Sequence, residues 1–182
     1  MNRLSSNLEQ IENNSLIDKV KIVGDIADAV RNAGYTIVEL NDTKPWGAYI
    51  RISSDEADRF VGEFFLGLTP EDARLGIDGA ELSPKLLIVA PNQRLSWQYH
   101  NRRAERWMFL TTGAYNKSQS NDEGEATLAH PGSEVQFARG ERHRLVGTAN
   151  KYAVVAEIWQ HVDSTTPSDE NDIVRLADDY KR

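Results

Sequence analysis

Apolar positions along the chain change their period once. Leu16, Val20, Val23, Ala27 and Val30 recur at three- and four-residue intervals, the spacing of one helix face. Ser15 stands ahead of them as a cap with Asp18 as its acidic partner, and Gly34 follows where a left-handed residue ends a helix. The spacing predicts a helix over 16–33. "YTIVEL" then reads as a strand and "NDTKPWG" as a turn. "SSDEADRFVGEFF" predicts a second short helix capped by Ser54 or Asp55, and "TPEDARLG" a further helical turn with Pro70 at its first position.

From about residue 84 the period shortens. "KLLIVA", "RLSWQYH", "RWMFLTTGAY", "EATLAH", "SEVQFA", "HRLVGT" and "YAVVAEIWQHV" are short runs rich in β-branched and aromatic residues, broken by Gly, Asn and Pro. That rhythm predicts an all-β sandwich or barrel. The polar tail carries one ordered patch around Ile173 to Leu176. The fold class is therefore mainly β with N-terminal helical decoration. Residues 1–43 form a helix-and-strand extension, and 44–182 form the barrel domain with a helical insertion near 55–82. The mouth of such a barrel holds one small ligand. The run "DRFVGEFFLGL" is an apolar face that covers the barrel or meets a second copy.

Composition narrows the partners. The 182 residues carry a net charge of −7 and a pI of about 5.1. This argues against nucleic acid or an anionic membrane surface as the main partner, while a local basic pocket for an anionic small molecule stays open. There are no cysteines, so neither disulfides nor thiolate-bound zinc are available. No apolar run approaches the roughly 20 residues of a membrane span, and "MNRLSSNLEQ" lacks the apolar centre of a signal peptide. A cytoplasmic protein is expected.

The densest chemistry lies in "LSWQYHNRRAERW", residues 95–107. Gln98, His100 and Arg102 share one parity, so a continuous strand presents them on one side. Glu105 follows beyond a turn, and "GERHRL" offers His143 after another. Gln98, His100, Glu105 and His143 are a donor set for Zn, Mn, Fe or Co. The alternative is an Arg/Glu/His network on a solvated face.

The frame around these residues resembles the two cupin motifs, G-x5-H-x-H-x3,4-E-x6-G and G-x5-P-x-G-x2-H-x3-N. In the second, Gly132, Gly140 and His143 stand in register, with Ala138 for Pro and Gly147 for Asn. In the first, Gln98 takes the first His position, His100 and Glu105 match, and Asn92 replaces the opening Gly. Asn tolerates a left-handed turn better than most residues. The closing Gly113 comes one position late.

Three further segments, "KPWGAY" (44–49), "KLLIVAPNQRLSWQYHNRRAERW" (85–107) and "NDIVRLADDYKR" (171–182), resemble the type II mannose-6-phosphate isomerases. These are cupin domains often fused behind a mannose-1-phosphate guanylyltransferase. Too little sequence precedes the match for a guanylyltransferase domain to be expected here. The resemblance implies a cupin fold (a double-stranded β-helix or jelly-roll barrel), a homodimer, a sugar-phosphate ligand, and aldose–ketose isomerisation through a cis-enediol. It also implies one divalent metal, Zn or Mn, Co or Fe, on Gln98, His100, Glu105 and His143. Type I mannose-6-phosphate isomerases resemble this set in using Gln, two His and Glu. By the same resemblance Glu157 and Lys85 are catalytic, with Glu157 as the base. Arg175 and Arg94 meet the substrate phosphate. His161 is the second candidate base.

One position departs from the family. Arg102 stands where the relatives carry a further His, and Arg cannot ligate a metal. A divalent ion about 5 Å from a guanidinium is repelled by roughly 6–7 kcal/mol at an effective dielectric of about 20. Arg102 therefore turns away, or displaces the ion by pairing with Glu105 and meeting the substrate itself. The second outcome makes the domain a non-catalytic sugar-phosphate binder. An isomerase or epimerase for another sugar phosphate is the remaining alternative.

Overall fold

The structure is a computed structural model that describes residues 3–181. Met1, Asn2 and Arg182, the last position of the tail motif, lie outside the described residues. The chain begins with α1 (Leu4–Glu9), α2 (Lys19–Asn32), β1 (Ile37–Asn41) and β2 (Gly47–Ile52). A 3-10 turn (Ser54–Glu56), α3 (Ala57–Phe64) and α4 (Pro70–Ala73) follow. Nine strands complete it: β3 (Lys85–Val89), β4 (Trp97–Tyr99), β5 (Arg103–Phe109), β6 (Gly113–Ser118), β7 (Thr127–Ala129), β8 (Glu134–Phe137), β9 (Arg142–Val146), β10 (Ala153–His161) and β11 (Val174–Ala177). Among the described residues no helix is long and apolar enough to cross a membrane.

The strands form two antiparallel sheets. One has the order β1-β2-β3-β10-β5-β8 and the other β11-β4-β9-β6-β7. Side chains alternate across each sheet. Leu87, Val89, Val155, Trp107 and Phe109 face inward and meet Phe137 and Leu145 between the sheets. Ile50, Leu86, Ile88, Val154 and Ile158 face outward, where α2 and α3 cover them with Ile22, Ile26, Phe60 and Val61. Both faces of β3 and β10 are thus covered, and every residue of these strands is buried. That explains why both read as near-continuous apolar runs. "DRFVGEFFLGL" is mostly part of this cover: Phe60, Val61, Phe64 and Phe65 are buried, whereas Leu66 is exposed.

The predicted first helix starts later than its pattern suggested. Asp18, and not Ser15, caps α2, accepting a hydrogen bond from the Lys21 N–H at 2.9 Å. Ser15 instead donates its N–H to the Asn150 carbonyl. Leu16 is 91% and Val20 73% exposed, so the buried stripe begins at Ile22 and runs to Val30. At the other end Gly34 adopts the expected left-handed conformation, with φ 78°. β1 is an edge strand of the six-stranded sheet, so the expected boundary at 43/44 falls inside the β1–β2 hairpin. Gly47 is required there. Its φ is +149°, and a Cβ would lie 1.9 Å from the Ile88 carbonyl oxygen.

Candidate functional site

β4 ends at Tyr99, and the chain bends at Asn101 and Arg102 before β5 begins. Both of these backbone N–H groups donate to the Asp172 carboxylate at 2.9 Å. The bend breaks the two-residue count. Arg102 therefore points outward, where its guanidinium lies 3.0 Å from Asp169 and donates to the Pro167 carbonyl. The residue that enters the interior is Arg103, which is 5% exposed. Of the outcomes expected for Arg102, it turns away; the inward cation is its neighbour Arg103, and the repulsion of an ion expected from Arg102 passes to that guanidinium.

His100, Glu105 and His143 converge and are all buried. His100 Nε2 lies 3.0 Å from Glu105 Oε1, and His143 Nε2 lies 3.2 Å from Oε2. Each imidazole turns its Nδ1 to a backbone carbonyl, that of Asp172 for His100 and that of Glu141 for His143. A carbonyl only accepts, so each Nδ1 carries the proton. Burial pushes the His100 pKa below its usual value, with Glu105 opposing this. A neutral imidazole protonated at Nδ1 presents a lone pair at Nε2. His143 Nε2 is fully buried and makes no hydrogen bond, although a carboxylate oxygen stands beside it. Burial also disfavours charge on Glu105, but His100, whenever it is protonated, and the Arg103 guanidinium hold its pKa well below the carboxylate range.

Two lone pairs facing an ionised carboxylate are a donor set that suits a divalent cation. Ligand atoms bonded at about 2.0–2.2 Å around a tetrahedral ion stand about 3.3–3.6 Å apart; here the two imidazoles approach different oxygens of Glu105, and the three ligand atoms lie within 4.8 Å of one another. The backbone carbonyls behind each Nδ1 supply the outer support such ligands need. Gln98 lies directly opposite His143 between β4 and β9, so this fourth expected ligand shares their face. Its amide oxygen accepts from the Ser96 hydroxyl. Arg103 approaches the same centre: its Nε lies 2.9 Å from Glu105 Oε1 and its Nη2 lies 3.3 Å from His100 Nε2.

A cavity of about 420 Å³ reaches this cluster at Glu105, while His100 and His143 are not among its lining residues. Gln98, Arg103 and Glu105 line it together with Glu157, Lys85 and Trp159. Lys85 and Glu157 are register partners between β3 and β10, and Glu157 faces Trp107 on β5. Trp107 Nε1 donates to Glu157 at 3.0 Å. Burial, reinforced by the charge of Glu105, pushes the Glu157 carboxyl up to about 7. Lys85 reaches Glu170 at 2.7 Å, and both Lys85 and Arg103 lie over the Trp159 ring. Arg175, opposite Gln98 between β11 and β4, also lines the cavity.

The remaining expectations separate. Arg94 is outside the cavity lining and is held by Asp179 at 2.7 and 3.1 Å. His161 is buried and accepts from the Ser168 N–H. The sequence pattern did not single out Arg103, Trp159 or Asp172. Arg103 was hidden by the bend, and Asp172 sat unremarked in the same "NDIVR" that yielded Arg175.

Two antiparallel sheets enclosing a His–Glu–His cluster make this a cupin. The sequence model of the family described as "Mannose-6-phosphate isomerase C-terminal" matches residues 76–178. The chain belongs to that family. No curated protein matches it in sequence. Among solved structures, the capsular polysaccharide assembling protein CapF from Staphylococcus aureus is 13% identical with a TM-score of 0.50, over 87% of this chain and 39% of that one. A structure from the DMSP lyases RdDddP and RnDddQII is 10% identical with a TM-score of 0.50, over 96% and 77%. These are likenesses of fold. The chain spans 34% to 45% of the length of the CapF structures it matches.

Proposed function

We propose that the protein is a sugar-phosphate aldose–ketose isomerase of the mannose-6-phosphate type. The observation that carries this reading is Glu157. It is a buried carboxyl near half-ionisation at neutral pH, and it lines the same cavity wall as the ionised Glu105 of the cluster. A base with its pKa near the working pH is suited to taking a proton from carbon. In this reading Glu157 removes the proton from C2 of the aldose, giving a cis-enediol, and returns it to C1. A second proton passes from O2 to O1, so that the C2 hydroxyl becomes the ketone as the C1 aldehyde becomes an alcohol. Gln98, His100, Glu105 and His143 would hold the divalent metal, which polarises the sugar oxygens when bound. Lys85 and Trp107 set the charge and aim of Glu157.

The test is exchange of the C2 hydrogen of mannose 6-phosphate with deuterated solvent, beside formation of fructose 6-phosphate, in metal-reconstituted protein. Both are expected, and Glu157→Gln should abolish both. A panel of hexose and heptose phosphates separates this substrate from another isomerase or epimerase substrate. One observation favours a second reading. Arg103 already supplies positive charge to Glu105 and His100, as a metal-free sugar-phosphate binder would require. Sugar-phosphate binding without exchange, with and without metal, would decide for that reading.

A further inference from the structure

Trp159 is the floor of a three-layer stack in the cavity wall. The Lys85 ammonium and the Arg103 guanidinium lie 3.9 and 3.8 Å from the centre of its ring. Residues 168–172 form the layer above these cations. Arg103 Nη1 donates to the Ser168 hydroxyl and to the Asp169 carbonyl at 2.9 and 3.0 Å, and Lys85 Nζ donates to Glu170 at 2.7 Å. Trp159, Lys85, Arg103 and Glu170 all line the cavity. The Trp159 indole N–H is fully buried and makes no hydrogen bond.

The top layer is anchored at its two ends. Ser168 and Asp172 are buried. Ser168 gives its N–H to His161 and its hydroxyl to Asp172, whose carboxylate also takes the Asn101 and Arg102 N–H groups. Between these anchors Asp169, Glu170 and Asn171 are exposed. Their side chains reach the body of the protein through two ion pairs, Glu170 with Lys85 and Asp169 with Arg102. The first pair is lopsided, because the Lys85 side chain is 6% exposed and that of Glu170 63%.

We propose that residues 169–171 are a lid on the cavity, latched shut by Glu170, which occupies Lys85 in place of a ligand. Lifting the tip leaves Lys85 a buried ammonium with the Trp159 ring and its register partner Glu157 for company, and a buried charge without a close partner is costly. An incoming hydrogen-bond acceptor that takes Lys85 removes that cost. Opening is thereby coupled to ligand entry, and the empty cavity stays covered over Lys85. The lid does not depend on the isomerase reading.

Exchange of indole N–H groups with deuterated water, followed by NMR in metal-free protein, tests the lid without any ligand. The Trp159 indole has no hydrogen bond to break, so its exchange reports local opening alone. Glu170→Gln should quicken that exchange roughly fivefold, the upper end for an ion pair with one exposed partner. Glu170→Asp keeps the charge on a shorter side chain and should quicken it as well. Raised salt should quicken it in the wild type and not in Glu170→Gln, which has no pair to screen. The Trp97 indole, in the other sheet and bonded to the Asn121 carbonyl, should exchange at the wild-type rate throughout. Unchanged Trp159 exchange in both variants overturns the lid. A rise with Gln but not with Asp traces to charge alone and overturns it too, as does a rise shared by Trp97, which is general loosening. Association of mannose 6-phosphate in stopped flow should quicken together with the indole. Faster indole exchange with no binding of that sugar leaves the lid standing and counts against the sugar-phosphate reading.

Discussion

His100 turns its Nδ1 to the backbone carbonyl of Asp172, a residue 72 positions further along the chain. The same Asp172 accepts from the N–H groups of Asn101 and Arg102 and from the Ser168 hydroxyl, through its buried carboxylate. The C-terminal segment thereby sets the tautomer of one candidate ligand and the bend that sends Arg103 inward.

Asp172→Ala removes three hydrogen bonds to a buried carboxylate. It should destabilise the fold by about 3 kcal/mol, because buried donors are left unmet. Metal affinity should fall by less than the roughly 10–100-fold that follows loss of the support itself, because Ala keeps the carbonyl that accepts from His100 and removes only the carboxylate that holds the bend. Urea unfolding and competition with a chromogenic chelator measure the two effects.

Arg102 and Arg103 should differ sharply. Arg103→Leu strands Glu105 in the interior without its cation, at a cost of about 3–5 kcal/mol in metal-free protein. Arg102 is 34% and its partner Asp169 55% exposed, so Arg102→Leu should cost under about 1 kcal/mol. Equal losses in denaturant unfolding would mean that the bend is misassigned.

Glu157 should make stability fall with rising pH. Its carboxyl titrates at about 7 when folded, against 4.5 ordinarily. Between those values the unfolded chain has lost the proton and the folded chain keeps it. The stabilisation is therefore full below pH 4.5 and lost as pH passes 7, on the order of 3 kcal/mol. Glu157→Gln should flatten this slope in urea unfolding of chelated protein between pH 5 and 8. An unchanged slope would assign the titration elsewhere.

Metal content is the most direct check on the cluster. Protein purified without an affinity tag and reconstituted with Zn, Mn or Co should hold about one equivalent by elemental analysis. His143→Ala should lose it while keeping its far-ultraviolet circular dichroism. No metal in the wild type after reconstitution would leave Arg103 as the cation of Glu105.

Much of this protein was legible in the order of its residues. The change from helical to strand period near residue 84 placed seven runs that overlap β3 to β10, with β5 and β6 read as one, because alternation and turn residues act locally. The motif register found Gln98, His100, Glu105 and His143, which do converge on one face or one cluster. Asn92 does adopt the left-handed turn, with φ 59°. Parity put Arg102 inside because it assumes an unbroken strand. The bend that reverses this is held by Asp172 from the far end of the chain, and no local pattern encodes such a contact. The same holds for Lys85, whose facing depended on pairing with Glu157. It holds also for Arg94, which was drawn off by Asp179. The residue types and their periods determined which strands form and which donors they carry. Only long-range pairing decided which cation faces the carboxylate, because in a buried site the partner across the sheet sets direction and charge together.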